Sequence, residues 1–283
     1  MTQKYTVLIS VYAKENPEYL KEAIDSMLEQ TIPPDEIVIV EDGNLTKELD
    51  DVIEKYKKLH RNLFKIIKMK ENVGTGIALS IGIKECKNEY IARMDSDDIS
   101  EKYRCERELE ILNNNDNIDI VGSIAAEFEG NINNITGYRI LPETNTEIYK
   151  FAQRRNPCAH SSVMMRKSRI LDAGNYREYL YFEDYDLWIR MIQKGYKFYN
   201  IQDVLIYMRV NEKFYKRRGG LSYFKRMIQF RTEQYRNGFY TLKNYLLAIT
   251  IHGVVCLLPN RLRKFIYLNF LRHKRGIKKD ETK

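Results

Sequence analysis

Cysteine is scarce and scattered. Cys86, Cys105, Cys158 and Cys256 are the only four, and no two form a CxxC pair. That excludes a zinc ribbon and a disulfide framework, and it fits a reducing compartment. Six prolines and fourteen glycines are too few for a collagen-like or low-complexity chain. With 43% apolar and 30% charged residues, the balance is that of a globular protein and not a disordered one. Met1 to Tyr5 lead into an apolar stretch too brief for a signal peptide, so the expected location is cytoplasmic. No internal repeat is present. What remains is a 283-residue chain able to bury a sizeable core, as one large domain or a domain with an appendage.

Charge is not evenly spread. Residues 213–283 hold 18 Lys and Arg against 3 Asp and Glu, whereas residues 1–212 hold 29 against 36. An acidic body therefore carries a basic tail, and the two need separate explanations. Between Lys243 and Arg261 lie 17 uncharged residues interrupted by His252 and Gly253. That run falls at the short edge of a membrane span and suits an interfacial or re-entrant helix better.

Apolar runs alternate with helical periods over the first half. Thr6–Val11, Glu36–Val40, Phe64–Ile67 and Tyr90–Met94 read as strands. Between them, Leu20, Ala23, Ile24, Met27 and Leu28, then Leu49, Val52, Ile53 and Tyr56, then residues 75–85 read as helices. Asn16-Pro17 supplies an N-cap followed by proline at the first helical position. Near-continuous apolar strands separated by helices predict an α/β fold with a parallel sheet covered on both faces. The second half is less regular, with a strand expected over Ser161–Arg166 and a helix carrying Leu187, Trp188, Met191 and Ile192.

Parallel sheets bind ligands at the carboxyl ends of their strands. Acidic clusters lie where that rule points: Glu41-Asp42-Gly43-Asn44 after the second strand and Asp95-Ser96-Asp97-Asp98 after the fourth. A third, Glu183-Asp184-Tyr185-Asp186, opens the Trp188 helix. Three carboxylates within four residues repel one another unless a cation sits among them, and Mg²⁺ or Mn²⁺ takes such oxygen ligands. The competing reading is a solvated turn with capping aspartates, and the DxD spelling occurs twice in this chain. Asp42 could equally meet a nucleotide or make an Asx turn with Gly43. Asn72-Val73-Gly74-Thr75-Gly76 is glycine-rich, but it lacks the Walker lysine–hydroxyl pair and the GxGxxG spacing.

Read in order, Val7–Tyr12, Ile39–Gly43, Asn72–Gly74, Asp95–Asp98 and Glu183-Asp184 resemble a family 2 glycosyltransferase of the GT-A fold, over about Tyr5 to Gly220. Arg209–Glu212 through Lys216–Gly220 resembles enzymes that build bacterial surface polysaccharides. The resemblance implies a GT-A nucleotide-binding sandwich with a mostly parallel central sheet, plus a basic helical C-terminal extension. Its donor half would span about 1–120 and its acceptor half about 121–212. By the same resemblance, Ser10, Val11, Tyr12, Asp42 and Asn72 would hold the donor nucleotide. Asp95 and Asp97 would bridge ribose and metal, and Asp98 would be the closest partner of Mn²⁺ or Mg²⁺. Asp184 would be the catalytic base of an inverting transfer, with Glu183 as its neighbour, and His160 would lie on the acceptor side. For His160 a structural role competes.

A carboxylate at a helix N-terminus is expected to stay ionised. Arg217 and Arg218 could close over the donor diphosphate or form a solvated stretch. Two departures from the family pattern stand out: Glu41-Asp42-Gly43-Asn44 replaces Asp-Asp-Gly-Ser, and Ser80 stands where asparagine is usual. The sole tryptophan, Trp188, is not in a Gln-x-x-Arg-Trp element, so a non-processive enzyme is expected. The expected donor is a UDP-sugar, and the expected acceptor is a saccharide, with a polyprenyl diphosphate carrier compatible. Loops between about Gly122 and Pro157 would set specificity. The tail suits an anionic membrane on the cytoplasmic face, where each surface Lys or Arg adds about 1 kcal/mol, or a helical pair packing on the body. A nucleic-acid-binding protein using the tail, with its tyrosines for stacking, is one alternative, although it leaves the acids unexplained and no nucleic-acid partner is expected. A nucleotide-sugar-binding scaffold without catalysis is the other.

Overall fold

The computed structural model describes residues 4–274. Residues 1–3 and 275–283, including the last basic residues of the tail, lie outside the described residues, as do the side chains of Lys213 and Tyr215. In chain order the elements are β1 (Tyr5–Val11), α1 (Pro17–Leu28), β2 (Glu36–Glu41), α2 (Lys47–Leu59), β3 (Phe64–Lys68), α3 (Thr75–Glu85), β4 (Tyr90–Asp95) and β5 (Ile99–Ser100). There follow α4 (Arg104–Asn114), β6 (Ile120–Phe128), β7 (Ile135–Arg139), α5 (Asn145–Ala152), β8 (Met164–Arg166), α6 (Lys167–Asp172), α7 (Glu183–Gln193) and β9 (Phe198–Arg209). The tail forms α8 (Glu212–Lys216), α9 (Gly220–Arg236), α10 (Leu242–Leu257) and α11 (Asn260–Ile266).

The sheet order is β3-β2-β1-β4-β8-β6-β9-β5, with β7 paired to β6. Its longest pairings are parallel: β1 with β2 and β4, β2 with β3, and β6 with β9. The four strands read from apolar runs form the parallel half in the predicted places. Asn16 caps α1 by accepting from the Glu18 N–H at 2.9 Å. The α1 stripe of Leu20, Ala23, Ile24 and Met27 is fully buried with α2 and α4 residues on one face of the sheet. Helices α3, α6 and α7 cover the other face, around Leu79, Ile83, Leu187 and Trp188. Each such aliphatic side chain contributes about 1.5–3 kcal/mol by leaving water.

The second half corrects three expectations. Only Met164–Arg166 of the expected 161–166 strand is extended. His160–Ser162 is a 3₁₀ turn, because the Ser162 hydroxyl donates back to the Ala159 carbonyl at 2.9 Å and accepts the Ser123 N–H at 3.1 Å. Gly122 does not begin a loop region. It lies inside β6, a nine-residue strand buried along its whole length. Finally, α10 runs unbroken through His252 and Gly253. Gly253 lies so close to Phe224 of α9 that a Cβ there would sit 2.9 Å from the ring.

Among the described residues no helix is long and apolar enough to cross a membrane. Helices α9 and α10 instead pack beside α7, where Phe182, Tyr185 and Ile189 meet Met227, Phe230, Phe239 and Tyr240. Part of the tail's positive charge is internal. Arg231 is buried and donates to the Tyr240 hydroxyl at 2.6 Å, the Tyr185 hydroxyl at 3.3 Å and the Arg154 carbonyl at 2.8 Å. Buried Arg263 donates to the Cys256 and Leu258 carbonyls at the end of α10. These two guanidiniums are held inside the protein and offer nothing to a nucleic-acid surface. Replacing Arg231 by Met should destabilise the protein by about 2–3 kcal/mol through the acceptors left unpaired. Urea unfolding of Arg231→Met against wild type measures this, and an unchanged midpoint would refute the anchoring role.

Candidate active site

Strand register brings the sequence-predicted residues to one edge. Ser10 is paired with Asp95, and Val11 with Glu41. The Asp42 N–H donates to the Val11 carbonyl at 2.8 Å, so the ends of β1, β2 and β4 lie side by side. Tyr12 stands just beyond, exposed.

Asp42 organises the next loop. Its Oδ1 accepts the Val73 N–H at 2.7 Å, while its Oδ2 accepts the Gly74 N–H and the Asn72 amide, each at 3.1 Å. The Asn72 amide also donates to the Asp42 carbonyl at 3.1 Å. Gly43, at φ +85°, permits the close approach, since a Cβ there would lie 2.7 Å from the Asn72 nitrogen. Glu41 turns away to pair with Lys68 at 3.0 Å.

The acids after β4 occupy the turn into β5. Asp95 forms an ion pair with buried Arg93. Burial raises the Asp95 carboxyl, but the Arg93 charge and hydrogen bond outweigh it and hold the group below its ordinary range. Asp97 and Asp98 behave oppositely. Burial first, then Asp98, Asp95 and Glu15, push Asp97 well above the usual carboxylate range. Burial and Asp95 push Asp98 up to about 7. Its Oδ1 accepts the Arg209 N–H at 2.9 Å, and the Ser161 hydroxyl lies beside the carboxylate, whose buried Oδ2 makes no hydrogen bond of ordinary geometry. Arg209 also donates from Nε to the Asp97 carbonyl at 3.0 Å and lies over the Tyr19 ring at 3.8 Å, so the end of β9 clamps the turn.

Two buried, raised carboxyls, Asp97 and Asp98, are the hard oxygen donors that a divalent cation such as Mg²⁺ or Mn²⁺ would take. Among the described residues no three His, Cys, Asp or Glu side chains converge into a closed cage. Such a site suits a cation that completes its shell with substrate phosphates.

Asp184 and Glu183 open α7. Gly76 sets their position: a Cβ on it would lie 2.3 Å from the Arg177 carbonyl and 3.1 Å from Glu183 Cβ, so glycine lets α3 rest against this helix start. Asp184 accepts the Asn156 amide at 2.6 Å and the Tyr185 N–H at 2.7 Å. Its carboxyl is nevertheless raised, by burial, against the lowering effects of Asn156, Arg139 and the Tyr185 N–H. Burial and Asp184 push Glu183 up to about 7. Burial thus raises both acids at this helix start, Glu183 the further, against the lowering hydrogen bonds and the Arg93 charge. Asp186 points elsewhere. It pairs with Arg190 at 2.8 Å and accepts from Gln234 at 3.1 Å.

His160 Nε2 lies 2.9 Å from the Tyr176 hydroxyl, with its ring edge-on to Trp188. Burial and the Arg93 charge hold its pKa well below the ordinary value, so it is a neutral imidazole. The charge of exposed Arg217 reaches Tyr12, Asp95 and Asp97. Arg218 instead lies over the Phe214 ring at 3.6 Å.

Glu15, Arg93, Arg139 and Asn156 also belong to this site and were not singled out in sequence, and Arg209 stood out only as part of a family-like segment with no role given. For Arg93 alone a signal existed, two residues before Asp95 on a buried strand. A groove of about 750 Å³ beside α5, lined by Glu147, Tyr149 and Lys150 among others, includes none of these acids.

Because the folded Asp98 carboxyl binds its proton more tightly than an unfolded one, it lowers stability as pH rises from about 4 to about 7. Thermal melting in chelator should show Tm falling over that window. Mn²⁺ should restore several degrees at pH 8 and little at pH 5, at roughly 2–4 °C per kcal/mol. Asp98→Asn should flatten the pH dependence and reduce the Mn²⁺ response. A flat wild-type profile would contradict the assignment.

Residues 6–180 match the family described as Glycosyl transferase family 2. The chain is 35% identical over 272 residues to an Escherichia coli protein named UDP-Gal:alpha-D-GlcNAc-diphosphoundecaprenol beta-1,3-galactosyltransferase, covering 96% of this chain and 98% of that one. It is 32% identical to the amylovoran biosynthesis glycosyltransferase AmsE of Erwinia amylovora, covering 93% and 97%. Two solved structures share the GT-A fold. One is the mannosyltransferase PcManGT from Pyrobaculum calidifontis with GDP-Man and Mn²⁺ (TM-score 0.64, 14% identity, 93% and 72% covered). The other is S. aureus TarS 1–349 with UDP-GlcNAc (TM-score 0.61, 18% identity, 82% and 66% covered). With that match over most of its α/β body and full-length relatives above 30% identity, the chain belongs to glycosyl transferase family 2.

Proposed function

We propose that this glycosyltransferase moves one sugar from a UDP-linked donor to a saccharide carried on a polyprenyl diphosphate, in the assembly of a bacterial capsule, exopolysaccharide or O-antigen. The transfer is inverting, non-processive and metal-dependent. The observation that carries the reading is the gathering of the strand-end acids and the Asp184–Asn156 pair around one buried guanidinium, Arg93. The E. coli relative, aligned over nearly its whole length, supports the choice of acceptor and of UDP.

The residues then divide the chemistry. Ser10, Val11 and Tyr12 line the donor side beside Asp95, and Asp42 holds the Asn72–Gly74 loop against it. Mn²⁺ or Mg²⁺ at Asp97 and Asp98 would supply positive charge for the departing nucleoside diphosphate. Exposed Arg217 adds a phosphate-matching guanidinium on the same side. Asp184 accepts the proton of the acceptor hydroxyl as that oxygen attacks the sugar's anomeric carbon and the bond to the diphosphate breaks. Attack opposite the leaving group inverts the configuration. Burial raises the Asp184 carboxyl above the ordinary aspartate value, which makes it a stronger base for that proton than an ordinary aspartate. Asn156 fixes its orientation. Residues 1–212 act as the catalytic unit, with donor half about 1–120 and acceptor half 121–212, and residues 213–283 serve membrane and acceptor.

The membrane face is formed by α10 and α11. Leu246, Ile251, Val254, Leu257, Leu262 and Phe265 are each at least half exposed, with Lys243 and Arg261 nearby in sequence. Apolar side chains beside basic ones suit the interface of an anionic bilayer on the cytoplasmic side.

Calorimetric titration of UDP into the full chain, with Mn²⁺ and then with chelator, tests the donor reading. Metal-dependent binding supports it, and no binding with metal overturns it. Asp184→Asn should lower kcat by about 10²–10⁴-fold, the range for losing a general base, with UDP affinity nearly unchanged. Asp98→Ala should weaken metal-dependent UDP binding. In wild type, kcat/KM should rise with pH through an apparent pKa above the aspartate range. Asn156→Ala should move that limb to higher pH, since the amide stabilises the ionised form. Wild-type turnover in Asp184→Asn would refute the base assignment. On the membrane side, co-sedimentation with phosphatidylglycerol vesicles should exceed that with neutral phosphatidylcholine vesicles. Ile251→Asp with Val254→Asp should abolish the binding, and retained binding would remove the α10 face from the proposal.

A further inference from the structure

Arg139 and Arg272 meet across a short antiparallel pairing that is linked to Asp184 by hydrogen bonds. Residues 272–274 run antiparallel to β7, with the Tyr138 N–H donating to the His273 carbonyl at 2.8 Å and the His273 N–H to the Tyr138 carbonyl at 3.0 Å. That register puts Arg139 and Arg272 directly opposite on one face, at cross-strand contact distance. Gly137 on the same face leaves the room: a Cβ there would sit 3.1 Å from the Arg272 Cβ. Arg155, after α5, stacks on the Phe151 ring, and Arg218, after α8, lies over Phe214 and donates to its carbonyl at 2.9 Å. Burial first, then the charge of Arg272 for Arg155 and that of Arg217 and more weakly Arg272 for Arg218, pull both below the ordinary arginine range.

The cluster is tied to the candidate base through a short chain. Arg139 Nη2 donates to the Cys158 carbonyl at 3.1 Å, the Cys158 N–H donates to Asn156 Oδ1 at 3.3 Å, and Asn156 donates to Asp184 at 2.6 Å. Four guanidiniums meet few carboxylates. Arg272 pairs with Glu127 at 2.6 Å. Among the described residues Arg139, Arg155 and Arg218 make no ion pair. Burial first and Arg272 next pull Arg139 down to about 10, with Asp184 and Glu127 only partly offsetting them. A like-charge group held together this way is stabilised by an anion of two or more charges, and guanidinium forks match phosphate oxygens.

We propose that Arg139, Arg155, Arg218 and Arg272 form a diphosphate-binding site for the acceptor, separate from the donor diphosphate site and one sugar residue from Asp184. This rests on the lipid-diphosphate acceptor reading and names the residues that recognise it. An acceptor diphosphate held there would present its sugar hydroxyl to Asp184 from the face opposite the nucleotide.

The test uses the full chain and inorganic pyrophosphate in chelator, which disables the metal-dependent donor site. Calorimetry should show one pyrophosphate site. Arg139→Met and Arg155→Met should each weaken it at least about tenfold, the loss of one charge-assisted fork. Both should leave UDP affinity with Mn²⁺ within about twofold. Arg155 packs on the Phe151 ring, is only partly buried and, among the described residues, makes no side-chain hydrogen bond to Asp184 or its neighbours, so its variant serves if Arg139→Met melts at a lower temperature. No pyrophosphate binding, or binding unchanged in folded Arg155→Met, overturns the site. A parallel loss of UDP affinity in the variants means the arginines serve the donor, and overturns the acceptor assignment. Failure of wild type to bind UDP with metal would instead sink the donor reading, while the pyrophosphate result still decides this one.

Discussion

The candidate site depends on one buried guanidinium. Arg93 sits on the central strand β4 with 1% of its surface exposed, and it pairs with Asp95. Its charge is also felt at Asp98, Glu183, Asp184 and His160. Burial works against its ionised state, and the surrounding carboxylates more than compensate. Without that cation, acids from the β4–β5 turn and from α7 would face one another across a desolvated space, where like charges interact far more strongly than in water. An ion pair of this kind is costly to break from either side. It holds Asp95 low, burial and then Arg93 hold His160 well below its ordinary value, and burial keeps Asp97, Asp98 and Glu183 raised.

The second constraint is mechanical. The helix carrying Asp184 is gripped from two directions. Gly76 brings the start of α3 against Glu183, and the α9–α10 hairpin holds Tyr185 and Asp186 through Arg231 and Gln234. The loop that Asp42 anchors and the basic tail therefore both bear on the position of one carboxylate. That arrangement gives the tail a second role beside its exposed apolar face, because its buried arginines brace the α/β body while its surface remains basic.

Legibility followed local pattern. The four parallel strands and their helices stood out because a strand buried on both faces must be apolar nearly throughout, and a covering helix must carry a stripe. Strand β6 did not stand out, because Gly122, Ser123, Ala125 and Ala126 make a crowded central strand look like a loop. The 3₁₀ turn at His160 was hidden because its cause is the Ser162 hydroxyl bonding across to Ser123, thirty-nine residues away. The acidic clusters at Asp42, Asp95–Asp98 and Glu183–Asp186 were legible from their places at strand and helix ends, and the choice of Asp184 among the last came from the family resemblance. Glu15, Asn156 and Arg139 were not legible, nor was the role of Arg209, since each of these residues reaches the site from a distant segment of the chain.

By itself, then, the sequence determined the parallel half of the sheet, the order of its acids and the charge division between body and tail. These are properties of short segments, dictated by periodicity and by which groups tolerate burial. Tertiary structure alone decided which acids share a space, which of them is neutralised by Arg93, that Asp186 turns to Arg190, and that tail arginines lie inside. Protonation and pairing depend on burial and on the nearest opposite charge, and both are set by residues brought together only when the chain folds.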